Sequence, residues 1–288
     1  MQTSDVARAT RAATAVASEL DLRADDALVL HNSNKLTLRL TPCDVVARVT
    51  HAGEVAAQLE LERARRLAGA GCPVGVPEPR VDPTVRTRDG FDVTLWDYHE
   101  PVATHVPAPD YARALERLHA GLRQVDLASP RFTDRIAEAE EIAADPGLSP
   151  ELGDADRAFL GGTLSTVRRR IEDRGAVEQL LHGEPHPGNL LGTTDGALFI
   201  DFETLCRGPV EFDLAHVPAA VCEHYRDVDH ELVDDCRQLV LAMVAAWRWR
   251  VGDEFPDRRR WGQEFLRSLR AGPPWPTLDA MTSRVAPR

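Results

Sequence analysis

The chain has 288 residues, 43% of them hydrophobic, and carries a formal net charge of −12 from 34 basic and 46 acidic side chains. This is enough for one large or two modest packed cores, and the acidic balance argues against nucleic acid as the main partner, which needs a clustered basic surface. No apolar run approaches the roughly 20 residues that span a bilayer, and the opening Met1–Leu20 has no continuous apolar stretch of a secretory kind, so no membrane partner and a cytoplasmic location are expected. The cysteines Cys43, Cys72, Cys206, Cys222 and Cys236 are odd in number and form no CxxC pair, which predicts reduced thiols rather than a disulfide framework. Cys222, His224 and Cys236 lack a fourth partner for a zinc site.

In chain order, residues 3–20 read as a helix with Val6, Ala9, Ala13, Val16 and Leu20 on one stripe. Two short apolar stretches, Leu28–Leu30 and Leu36–Leu40, flank the polar turn His31–Lys35, and a third, Val45–Val49, follows Thr41-Pro42. This pattern predicts short antiparallel strands. Residues 54–69 read as a helix ended by Gly69 and Gly71. The proline-rich Pro73–Pro83 is extended loop, and Phe91–Tyr98 is a further strand. Beyond residue 99 the periodicity becomes helical, over 109–125, 131–144, 153–179 and 229–250. A sheet-rich residues 1–98, with a hinge near 95–100, and a helical residues 99–288 predict a two-lobed α+β protein with a ligand cleft.

One segment, 180–217, breaks the helical pattern with its Gly, Pro, His and Asp. Pro185, Pro187, Gly183 and Gly188 exclude a helix there. Leu190–Leu191 and Ala197–Ile200 predict a hairpin around Thr194-Asp195-Gly196. Such a hairpin brings Asn189 near Asp201 and offers oxygen ligands of the kind Mg2+ prefers. His182 and His186 do not form the zinc-protease HExxH pair, because Glu184 stands one place late and the prolines deny the shared helix face.

His182-Gly183-Glu184, with Asn189 after four more residues, resembles the H-G-D-x4-N catalytic loop of aminoglycoside phosphotransferases and the related choline, homoserine and sugar kinases. Ile200-Asp201-Phe202-Glu203 is similar to their I-D-x-E metal motif, and Gly208–Ala215 to the G-x-P-x-x-x-D-L-A that follows, whose aspartate is structural. Leu115–His119 resembles their L-x-x-L-H helix. The resemblance implies a bilobal protein-kinase-like fold, with a small antiparallel-sheet N-lobe and a larger, mostly helical C-lobe.

It also implies roles. Asp201 and Asn189 hold Mg2+, and Glu184 takes the place of the aspartate that accepts the substrate hydroxyl proton. Arg48 grips the phosphates of ATP or GTP, paired with Glu60, with Glu62 in reserve. Ser33 and Asn34 form the nucleotide loop, and Trp96, Asp97 and Tyr98 lie at the adenine hinge. The implied acceptor is a small hydroxylated molecule, cationic in the manner of an aminoglycoside or amino alcohol. From the residues alone, simpler readings stay open: a turn aspartate at Asp201, a capping asparagine at Asn189, a surface charge at Arg48, and packing tryptophans at 247, 249, 261 and 275. A nucleotide-binding relative without turnover is the alternative function, since Glu184 is one methylene longer than the family's aspartate.

Overall fold

A computed structural model describes residues 1–33, 35–53, 55–102 and 105–283. The chain divides into two compact units, Met1–Val106 with Leu191–Glu203, and Pro107–Leu190 with Thr204–Arg288.

Unit 1 is built on a five-stranded antiparallel sheet. Its elements are α1 (Thr3–Glu19), β1 (Ala24–Asn32), β2 (Leu36–Pro42), β3 (Val45–His51), α2 (Val55–Gly69), β4 (Arg86–Arg88) and β5 (Phe91–Asp97), with strand order β1-β2-β3-β5-β4. Side chains alternate across a strand. Leu36, Leu38 and Leu40 on β2, and Val45, Ala47 and Val49 on β3, therefore point to one face and are fully buried. Against that face α1 lays Ala9, Ala12, Ala13, Val16 and Ala17. The run of alanines on α1 leaves room for the larger sheet residues Leu36, Leu38 and Leu40. The edge strand β1 differs, leaving Leu28, Val29 and Leu30 exposed.

Unit 2 is mostly helical. It comprises α3 (Ala108–Leu122), α4 (Phe132–Ala144), α5 (Asp154–Asp173), β6 (Glu178–Leu181) and a 3-10 turn at Pro187–Asn189. A hairpin then runs through β7 (Leu190–Thr193) and β8 (Gly196–Phe199), most of which belongs to unit 1. Unit 2 resumes with β9 (Cys206–Pro209), α6 (Val210–Leu214), α7 (Ala219–Cys222), α8 (His230–Trp249), α9 (Arg258–Ala271) and α10 (Leu278–Ser283). Its core is the packing of α4, α5, α8 and α9, with Ile136, Leu160, Leu164, Leu239 and Phe265 among the buried residues. Trp249 is buried there, and Trp247, Trp261 and Trp275 pack against it.

The predicted strands and helices recur with shifted ends, with two departures. The helix expected over 153–179 stops at Asp173, and Glu178–Leu181 leaves it to pair antiparallel with β9. Gly175, at φ 60°, makes the turn between them. The helix α9 was not expected; its stretch Arg258–Ala271 is rich in arginine, and only Gly262, Phe265, Leu266 and Leu269 are buried. Among the described residues, no helix is long and apolar enough to cross a membrane.

Candidate active site

In unit 1 the phosphate-gripping candidate Arg48 sits on β3, between Thr37 of β2 and Thr94 of β5. Its guanidinium pairs with Glu60 Oε1 and lies 4.8 Å from the centre of the Trp96 ring. Glu60, buried on α2, is thus the partner of Arg48, while the reserve Glu62 is exposed and faces Arg66 instead. One turn further along α2, Arg63 donates to the carbonyls of Phe202 (2.7 Å) and Glu203 (2.8 Å). The helix therefore holds the backbone beside Asp201 through one residue and a cation through another.

Asp201 follows β8, which is anchored by Phe199 N–H to Pro73 O (2.9 Å) and by Gly75 N–H to Phe199 O (2.8 Å). The fully buried rings of Phe199 and Phe202 bracket it. Asp201 itself adopts φ 68°, in the left-handed region that aspartate enters more readily than most residues. Glu60, Asp201 and Glu203 converge, with one oxygen of each within 4.8 Å of the others. This is the one such cluster found among the described residues. Burial pushes the Cys222 and Cys236 thiols up, away from the thiolate that zinc requires.

A residue that sequence reasoning missed stands inside that cluster. Lys35 Nζ lies 3.0 Å from Glu60, 3.2 Å from Asp201 and 2.8 Å from Glu203. Burial works against its charge, but Glu60 and Asp201 outweigh that, and the Lys35 pKa is raised. Glu203 does not mirror this. Burial raises its pKa, Lys35 lowers it, and the charges of Asp201 and Glu60 leave it raised overall. The two directions are consistent: three carboxylates crowd one ammonium, so the ammonium is held more firmly than any single carboxylate. The only signal in the chain was compositional, since Lys35 is its one lysine.

The other unit 1 candidates are more scattered. Ser33 is exposed, its N–H donating to Lys35 O (3.0 Å), and Asn34 lies outside the described residues. Trp96 is buried on β5, with its ring N–H donating to Thr94 (2.9 Å). The Asp97 N–H is spent on Val76 O (3.0 Å). Tyr98 donates to Glu100 (2.9 Å) and carries the Arg39 guanidinium 3.9 Å over its ring.

In unit 2 the loop from His182 to Asn189 is held by buried side chains, among them Asp213 and Tyr111 of α3, whose hydroxyl donates to Pro185 O. Asp213, on α6, accepts from the N–H groups of His182 (2.9 Å) and Gly183 (2.8 Å) and pairs with His119 of α3 (2.9 Å). Burial alone raises an aspartate's pKa, but these partners hold Asp213 below its ordinary value. His119 is fixed in turn by Tyr225 (2.7 Å). Gly183 has φ 90°, and a Cβ there would sit 2.0 Å from Thr204 O, so only glycine fits. The Asn189 amide nitrogen donates to Glu184 O (3.0 Å), so its amide oxygen is the atom that could serve as a ligand.

Glu184 pairs with Arg135 of α4, a second residue that no motif announced. The Glu184 side chain is 27% exposed. Burial raises its pKa, but Arg135 and His216 outweigh that and hold it below the usual carboxylate range. The Arg135 guanidinium lies 5.0 Å from the centre of the Trp247 ring. His216 is buried, and burial lowers its pKa to about 4, so the imidazole is neutral at neutral pH.

Residues 30–255 match a family model described as the phosphotransferase enzyme family, APH. The chain belongs to this family. Among solved structures, this phosphotransferase is similar to a choline/ethanolamine kinase family protein from Mesorhizobium loti, at 17% identity and a TM-score of 0.68, with 94% of each chain covered. It is similar to the GDP and kanamycin complex of APH(2")-IIia at 17% identity and a TM-score of 0.69, covering 90% of this chain and 97% of that one. It also resembles amicoumacin kinase hAmiN, in complex with AMP-PNP, Ca2+ and Ami, at 12% identity and a TM-score of 0.66, over 94% and 96% of the two chains. At these identities the likeness shows the fold, that of the protein-kinase-like small-molecule kinases, as expected from the resemblance. No curated protein matches the chain.

Proposed function

We propose that this phosphotransferase moves the γ-phosphate of ATP or GTP to a hydroxyl of a small molecule. Within the family, the observation that carries the reading is the unit 1 cluster. Glu60 there holds Arg48 and Lys35, and Lys35 also reaches Asp201 and Glu203. Phosphoryl transfer needs positioning and charge neutralisation more than covalent chemistry, and this cation–carboxylate cluster can supply both. The donor set suits a divalent cation such as Mg2+, because it consists of hard carboxylate oxygens around a point already attractive to positive charge. When bound, that ion neutralises charge on the phosphoryl oxygens.

The chain's own residues divide the remaining work. Asp201 and Asn189 are the proposed metal ligands, and Glu203 orients the metal site. Arg48, kept in place by Glu60 and Trp96, binds phosphate. Trp96, Asp97 and Tyr98 border the base, and Ser33 and Asn34 the phosphate chain. Glu184 accepts the proton of the attacking hydroxyl, and its lowered pKa keeps it ionised at neutral pH. Nucleotide binding is thus assigned to the N-terminal sheet region and acceptor binding to the helical region, in a cytoplasmic enzyme. The proposed acceptor is a hydroxylated, cationic small molecule of the aminoglycoside or amino alcohol class.

The test is nucleoside diphosphate release, measured with Mg2+ and ATP or GTP against a panel of aminoglycosides, amino alcohols and sugars. One acceptor class should raise release well above the acceptor-free rate. Asp201→Ala should abolish it and weaken Mg2+–nucleotide binding, and an unchanged affinity would remove Asp201 from the metal site.

A second reading, a nucleotide-binding regulatory protein without turnover, is favoured by one observation: the base candidate Glu184 is tied to Arg135. The extra methylene of glutamate also moves its carboxylate by about 1.5 Å, a displacement on the scale that costs about 10² in rate. Tight nucleotide binding with no turnover, in both the natural chain and Glu184→Asp, would select this reading.

A further inference from the structure

Of the 34 basic side chains, one is a lysine and the rest are arginines. That lysine, Lys35, stands where three carboxylates meet, with Nζ at 2.8–3.2 Å from Glu203, Glu60 and Asp201. The residue type matches the place. An ammonium is a compact point charge with three donors, whereas a guanidinium spreads its donors over a planar fork. Here each of the three donors has its own carboxylate. The other cation nearby, Arg48, is used differently: it pairs with Glu60 and stacks on Trp96.

The same three carboxylates form the oxygen cluster that suits a divalent cation. A cation bound through Asp201 would compete with the Lys35 ammonium for the oxygens of this cluster. We propose that Lys35 is a built-in counter-ion of this site: it holds Glu60, Asp201 and Glu203 together when no divalent cation is bound, and a divalent cation binds by displacing it. The flexible four-carbon stem of lysine allows the ammonium to withdraw while the carboxylates stay in place. Lys35 therefore sets the threshold for metal binding and is a positioning residue for the metal ligands. The inference rests on the reading that Asp201 is a metal ligand.

The probe is Mn2+ alone, without nucleotide, with free ion measured by electron paramagnetic resonance. The full chain is compared with Lys35→Met and Asp201→Asn. Lys35→Met removes the competing charge but keeps the stem, so Mn2+ should bind about tenfold more tightly, within the usual range of coupling between two sites. Its melting temperature without metal should fall and be restored by Mn2+. A second measurement needs no variant. Lys35 carries the only side-chain amine, so acylation by an N-hydroxysuccinimide ester, read by peptide mass spectrometry, reports on it alone. Saturating Mn2+ should speed that labelling as the ammonium is released. Equal or weaker Mn2+ binding in Lys35→Met, or labelling that Mn2+ leaves unchanged or slows, would overturn the counter-ion role. If Mn2+ binding requires Asp201 but ignores Lys35, this inference alone fails. If Mn2+ binds neither the natural chain nor Lys35→Met, the metal reading fails and takes this inference with it.

Discussion

Glu184, the proposed general base, forms an ion pair with Arg135. A general base should have a pKa close to the working pH, because a carboxylate held too low is a weak base. Burial pushes Glu184 up, but Arg135 and His216 pull harder, so it sits below the ordinary range. The sign of the consequence follows. Glu184 stays ionised as pH falls, so the acid limb of kcat/KM should lie below the range of an unperturbed glutamate. Arg135→Met removes the main opposing charge, so the acid limb should move to higher pH while nucleotide affinity is unchanged. A pH–rate profile of the two proteins checks this, and an unmoved limb would show that Glu184 is not the titrating base. Glu184→Gln should lower kcat by about 10²–10⁴, the usual contribution of a positioned base.

At the level of elements, the loop from His182 to Asn189 owes its shape to other segments. Asp213 on α6 takes two backbone N–H groups of the loop, and His119 on α3 secures Asp213. Gly183 is the point where the loop passes closest to its neighbour, against the carbonyl of Thr204. Gly183→Ala should therefore destabilise the chain by more than the roughly 1 kcal/mol of an ordinary Gly→Ala change at positive φ. Asp213→Ala should cost about 1–3 kcal/mol for each buried backbone donor it leaves unpaired. Denaturant midpoints measure both, and a cost near zero at Asp213 would mean the loop is held some other way. This loop was legible in the chain because prolines and glycines exclude a helix whatever surrounds them. The hairpin β7–β8 was legible too, since apolar pairs flanking Thr-Asp-Gly have few alternatives. The end of α5 was not, because Glu178–Leu181 suits a helix locally and becomes a strand only by pairing with β9.

On the scale of the whole molecule, two cores organise the chain: α1 on the sheet in one unit, and α4, α5, α8 and α9 in the other. The hairpin segment Leu191–Glu203 belongs with the N-terminal unit although it is distant in sequence. If nucleotide binding resides in that unit, Mg2+–ATP without acceptor should slow amide exchange chiefly within Met1–Val106 and Leu191–Glu203. Protection confined to the helical unit would reassign the nucleotide site. Periodicity foresaw the change from sheet to helix near residue 99, but no local pattern could attach a segment a hundred residues later to the first unit.

By itself the sequence determined the family, through the spacing of His182, Glu184, Asn189, Asp201 and Asp213, and with it the kinase-like order of sheet and helices. Those signals are local or nearly so, and they can be read without knowing what surrounds them. Only the tertiary structure decided which charges meet. It chose Glu60 over Glu62 for Arg48, placed Arg135 on Glu184, and put Lys35 among three carboxylates drawn from α2 and the end of the hairpin. The physical reason is reach: a charged side chain finds partners through space, over separations such as Lys35 to Asp201 that no periodicity records.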